Sequence, residues 1–76
     1  MNDRILRCLE TIGLPSLPSG AEENLADHGY DSLFVVLSVS ALETEFSIKI
    51  PADVVTEENF ATVAAIAKTI TKLGAK

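Results

Sequence analysis

The chain has 76 residues, 47% hydrophobic but only 5% aromatic, with a net charge of −5 at pH 7. Such a length holds one small domain, 1–76, near the lower limit for a self-sufficient core, and its aliphatic bias favours packed helices over an aromatic-rich sheet. Every acid except Asp3 lies between Glu10 and Glu58, where Lys49 is the only base, and that field excludes nucleic acid and anionic lipid as partners.

Ile5, Leu6, Leu9 and Ile12 recur at helical spacing and predict a first helix over roughly 3–12, capped by Asn2 or Asp3. Gly13 before Leu14-Pro15 is its stop signal. From Leu14 to Asp31 the composition turns to Pro, Ser, Gly and Asn, a long connection of the kind usually functional or disordered. Leu14, Leu17 and Leu25 are expected to pin it to the core, with a short helical turn around Ala21–Leu25. Asp31 is a good N-cap for a second helix running to Phe46, with Val35, Val39, Leu42 and Phe46 on one face. Ser47 to Pro51 then runs extended, with Ile48 and Ile50 as anchors. Thr56-Glu57-Glu58-Asn59 reads as a capped short helix with acids in its first turn. Thr62 caps a last helix whose stripe is Val63, Ile66, Ala67, Ile70 and Leu73, and Gly74 ends it. The expected fold is all-α, a small four-helix bundle of three main helices and one short one, with the long loop between helices 1 and 2.

Cys8 is the only cysteine, which excludes an internal disulfide and fits a reducing compartment. No cationic-then-apolar leader opens the sequence and no apolar run approaches spanning length, so a cytoplasmic address without membrane insertion is expected. Cys8 and His28 stand too far apart in sequence to suggest metal-ligand spacing, and no metal is expected. His28, four residues before Ser32, invites a triad with Asp27 or Asp31, but no oxyanion hole accompanies it. Structural accommodation or a solvent-facing ring is the expectation there. Tyr30 either contacts a group attached nearby or simply covers the loop.

Asp31-Ser32-Leu33 opening a helix resembles the attachment motif of the acyl and peptidyl carrier proteins. The likeness extends in register through Leu25, Asp27 and Gly29 before it, and through Ala41-Leu42-Glu43-Thr44-Glu45-Phe46 and Ile48-Lys49-Ile50-Pro51 after it. Glu58-Asn59-Phe60-Ala61-Thr62-Val63 is similar to the start of that family's last helix. The resemblance implies a 4′-phosphopantetheine arm esterified to Ser32, donated from coenzyme A by a phosphopantetheinyl transferase that supplies Mg²⁺. Asp31 and Leu33 flank the site by the same resemblance, which gives Asp31 a part in positioning the transferase's metal. An anion on Ser32 would meet the unpaired N–H groups and positive dipole end of the helix, and Gly29 would allow the tight backbone path into it. No neighbouring group activates the hydroxyl, so the chain is expected to be a carrier and not an enzyme.

Phe34 and Leu37 depart from the pattern, because fatty-acid carriers usually place acids there. With Leu33 and Val36 they are expected to form an apolar patch beside the serine, with Ser40 near the surface. The alternative is that Phe34 or Leu37 folds under the long loop and compensates for an inward Ser38. Docking through Phe34, Val36, Leu37 and Ser40 is expected to be guided by Glu43, Glu45, Glu57 and Glu58. The resemblance implies acyl-transferring, condensing or adenylating enzymes as partners of a monomeric acyl carrier in fatty-acid, polyketide or specialised lipid biosynthesis. The alternatives are an aminoacyl or peptidyl carrier of a nonribosomal pathway, or an unmodified helical interaction module. A growing chain can tuck between the helices where Ser38, Ala64, Ala65 and Ala67 are small, or stay exposed.

Overall fold

A computed structural model describes all of residues 1–76. Its elements are helix α1 (Asn2–Thr11), a 3₁₀ turn at Leu25–His28, helix α2 (Ser32–Phe46), a 3₁₀ turn at Ala52–Val54 and helix α3 (Val63–Lys72). α1 packs against both α2 and α3. The core between them is aliphatic, with Ile5, Leu9, Leu25, Leu42, Ile66 and Ile70 wholly buried beside Phe46.

Three helices are present, not four. At Thr56–Phe60 the chain closes a single turn: the Thr56 hydroxyl accepts from the Asn59 amide at 3.1 Å, and the Phe60 amide donates to the Thr56 carbonyl. The cap is where the sequence put it, but the turn does not propagate. Phe60 is drawn into the core, and the Ala61 carbonyl is taken by the Leu25 amide at 2.8 Å, so the chain leaves helical geometry before Thr62 caps α3.

Helix ends follow the glycines. Gly13 and Gly74 are both left-handed (φ 89°), and each stands in a Schellman closure. In the first, Leu14 N donates to Leu9 O and Gly13 N to Glu10 O; in the second, Ala75 N donates to Ile70 O and Gly74 N to Thr71 O. α2 ends on Ser47 in the left-handed region (φ 54°), the only non-glycine residue there. At the other end of α1 the expected side-chain cap is absent: Met1 is the N-cap, and Asn2 and Asp3 lie inside the first turn, where Asp3 meets the dipole instead.

The long loop is stitched down at intervals. Leu14 and Leu25 are buried as expected, but Leu17 is exposed, and Pro18 takes the inward position beside it. The short turn falls at Leu25–His28 and not at Ala21–Leu25, because the Asn24 carboxamide accepts from the Ala26 amide and starts it there. Ala21 serves another purpose, its carbonyl accepting from the Ala64 amide at 2.9 Å at the start of α3.

Candidate functional site

Ser32 is the first residue of α2 and is exposed. The loop reaches it through Gly29, left-handed at φ 86°, where a Cβ would come within 3.3 Å of the Pro15 ring. Asp31 is the N-cap: its carboxylate accepts from the Phe34 amide at 3.2 Å, and its carbonyl accepts from the Val35 amide at 2.9 Å. The amides of Ser32 and Leu33 have no partner within the chain. An open hydroxyl therefore stands beside two unpaired N–H donors at the positive end of a 15-residue helix. Beside it lies a cleft of about 450 Å³, walled by Ala26, Tyr30, Val35, Val36, Val55 and Glu57. Its mostly apolar walls and the hydroxyl at its edge suit a flexible chain with an anionic end anchored at the serine.

On the outer face of α2, Leu33 and Val36 are 63% and 65% exposed and Leu37 is 42% exposed, with Ser40 exposed beside them. Phe34 differs from this group, being half-buried against the core. Of the four acids expected to guide docking, two are engaged within the chain. Glu43 accepts from the Ile50 amide at 2.8 Å, and Glu45 pairs with Arg4 at 2.7 Å. Glu57 and Glu58 are exposed and form no ion pair.

Three arrangements escaped sequence reasoning. The Tyr30 ring is buried, and its hydroxyl lies 2.6 Å from that of Ser38, which donates to the Val35 carbonyl at 2.8 Å. Since Ser38 has one proton and spends it on a carbonyl, Tyr30 is the donor to Ser38. Burial pushes the Tyr30 hydroxyl up to about 12. The signal was present in the sequence, because an inward serine in an apolar stripe needs a polar partner, and Tyr30 supplies one. Second, His28 bridges the loop: Nδ1 lies 2.8 Å from the Ser16 hydroxyl and Nε2 lies 2.9 Å from Glu23. Both ring nitrogens are thus engaged away from Ser32, which leaves no triad with Asp27 or Asp31. Hydrogen bonds from Ser19 and then His28 hold the Glu23 carboxyl below its ordinary range. Third, the Arg4 guanidinium joins Glu45 through both its carboxylate and its carbonyl, donates to the Lys76 carbonyl, and lies 4.3 Å over the Phe46 ring. Cys8 is buried against α2, and burial first, then Glu45, raises its thiol above the ordinary range.

No curated protein matches the chain significantly in sequence. Among solved structures it is similar to a chain of the crystal structure of an engineered Bradyrhizobium japonicum glycine:carrier protein ligase complexed with carrier protein from Agrobacterium tumefaciens and AMP. The TM-score is 0.83 at 28% identity, over 93% of this chain and 99% of that one, a coverage that identifies the neighbour as the small carrier component. A sequence model of the family described as "Phosphopantetheine attachment site" matches residues 3–70. With nearly the whole length inside that match, the chain belongs to the phosphopantetheine-binding carrier family, and its cofactor is 4′-phosphopantetheine.

Proposed function

We propose that Ser32 is the attachment residue and that the chain is a one-domain, cytoplasmic, monomeric carrier that performs no chemistry of its own. The observation that carries this reading is the exposed Ser32 hydroxyl at the start of α2, with the unpaired amides of Ser32 and Leu33 beside it and the 450 Å³ cleft alongside. When bound, the arm supplies a terminal thiol that holds cargo as a thioester. The residues of this chain do the rest. Asp31 fixes the first turn so that the hydroxyl is held outward, and the helix end favours the phosphodiester's charge. The cleft wall of Tyr30, Val35 and Val55 gives the arm an apolar surface to rest on.

Leu33, Val36 and Leu37 form the centre of the docking surface, with Ser40 at its edge and half-buried Phe34 supporting it from beneath. Glu57 and Glu58 are free to steer a basic partner, while Glu43 and Glu45 add only to the long-range field. The partner class we favour is an adenylating enzyme that loads a small amino acid or acyl group. This is supported by the neighbour, whose structure contains a glycine:carrier protein ligase and AMP. Acyl-transferring or condensing enzymes of fatty-acid, polyketide or specialised lipid assembly would then receive the cargo. Mass spectrometry of protein purified from its native cells tests the reading. An arm on the Ser32 peptide, bearing a small acyl or aminoacyl group, supports it, and an unmodified Ser32 in the native protein contradicts it.

A further inference from the structure

We propose that Tyr30 closes the interior of this carrier to its own cargo, so that the protein is suited to short acyl or aminoacyl groups held outside and gives no shelter to a long alkyl chain. The inference rests on the reading of Ser32 as the attachment residue.

Two clefts meet at Tyr30. The larger, about 450 Å³, has Ser32 on its wall; the smaller, about 120 Å³, is bounded by Asn24, Phe60 and Ala61. Ala26, Tyr30, Val35 and Glu57 line both. Tyr30 is 7% exposed and its hydroxyl reaches Ser38, which is 0% exposed on the inward stripe of α2 with Leu42 and Phe46. The ring therefore spans from the cleft wall to the buried face of the helix. It occupies the room that a residue as short as serine leaves at an inward position of α2. The small side chain at 38 marks filled space, and the yielding interior that its size suggests is closed.

The closure is held chemically as well as sterically. Tyr30 donates to Ser38, and Ser38 donates to the Val35 carbonyl, so both hydroxyl protons are used and no buried polar side-chain atom is left unpaired. A hydrocarbon entering from the Ser32 cleft has to displace the ring, strip the tyrosine hydroxyl of its acceptor and offer none in return. The backbone resists the same movement, since Tyr30 stands between left-handed Gly29 and the N-cap Asp31, with its amide bonded to the Leu25 carbonyl at 3.2 Å. A short or polar cargo needs no such displacement.

The test loads the whole chain on Ser32 from coenzyme A, acetyl-coenzyme A or octanoyl-coenzyme A with a broad-specificity transferase. Melting temperature and amide chemical shifts are then compared among the three forms. The proposal expects all three to melt together, with the amides of Ser38, Leu42 and Ile66 unmoved by the octanoyl chain. In Tyr30→Ala the octanoyl form should melt a few degrees above the form with the bare arm, with shifts at those same residues. A rise in melting temperature and interior shifts on octanoylation of the wild-type protein overturn the proposal, as does a folded Tyr30→Ala variant that ignores the octanoyl chain. Should Tyr30→Ala not fold, Tyr30→Leu replaces it, and the wild-type comparison stands without either. Failure of any form to gain mass sinks the attachment reading instead, so the two failures are distinguishable.

Discussion

Removing either hydroxyl of the Tyr30–Ser38 pair should destabilise the protein, but by unequal amounts. Tyr30→Phe deletes the donor and leaves Ser38 still bonded to Val35, at a cost of about 1 kcal/mol, typical of one neutral hydrogen bond. Ser38→Ala strands the tyrosine proton in a buried site without an acceptor, which costs about 1–3 kcal/mol. The double variant should cost less than the sum of the two, with a coupling of about 1 kcal/mol, because once the donor is gone the missing acceptor matters less. Burial of the same hydroxyl predicts an alkaline limb. The Tyr30 hydroxyl is raised from 10.0 to about 12, so between those values the folded chain keeps a proton that the unfolded chain has released. Stability from this group is complete below about pH 10 and falls as the pH rises to about 12, by about 2–3 kcal/mol in all. Urea unfolding at neutral pH and across the alkaline range measures both effects, and in a domain of this size 1 kcal/mol moves the melting temperature by about 4–8 °C. Strict additivity of the two substitutions would show that the hydroxyls are not coupled, and a Tyr30→Phe variant that keeps the wild-type alkaline loss would show that Tyr30 is not its source.

Arg4→Ala removes the bonds to Glu45 and Lys76 and the contact with the Phe46 ring; since this ion pair is about a third exposed, a loss of about 1–2 kcal/mol in urea unfolding is expected. Ser47→Gly relieves a left-handed residue at the end of α2 and should raise stability by about 0.5–1 kcal/mol, whereas Ser47→Val should lower it. Asp31→Ala deletes the cap of α2 and should cost about 0.5–2 kcal/mol while slowing arm attachment, read by a timed mass assay with the transferase. Changing Leu33, Val36 and Leu37 to glutamate should leave the melting temperature within a few degrees of wild type, because these side chains are exposed, yet reduce cargo loading by the cognate enzyme; unchanged loading would remove the patch from the docking surface.

The parts of the fold that depend on local chemistry were legible in the sequence. Gly13 and Gly74 ended helices because their freedom at positive φ permits the closing hydrogen bonds without strain, and Asp31 and Thr62 capped helices through side-chain oxygens at the expected amides. The 3.6-residue stripes of α1 and α3 located the core. What failed depended on tertiary competition. Thr56-Glu57-Glu58-Asn59 has every signal of a helix start, but burial of Phe60 and the bond from Leu25 to Ala61 overrule its continuation. Leu17 looked like an anchor by hydrophobicity alone, yet the neighbouring proline fills the inward position. At the site, the start of α2 at Ser32 behind the Asp31 cap followed from a local pattern. The pairing of Tyr30 with Ser38 and the engagement of Glu45 by Arg4 join residues 8 and 41 positions apart; an inward serine announces the need for a partner, but no local pattern names which residue meets it.

Intact mass after incubation with coenzyme A and a broad-specificity transferase decides whether Ser32 carries the arm, with the modified peptide then located by fragmentation. One phosphopantetheinyl addition per chain is expected, carried by the peptide containing Ser32 and absent from Ser32→Ala. A wild-type chain that gains no mass, or a Ser32→Ala chain that gains it in full, would mean that Ser32 is not the attachment residue.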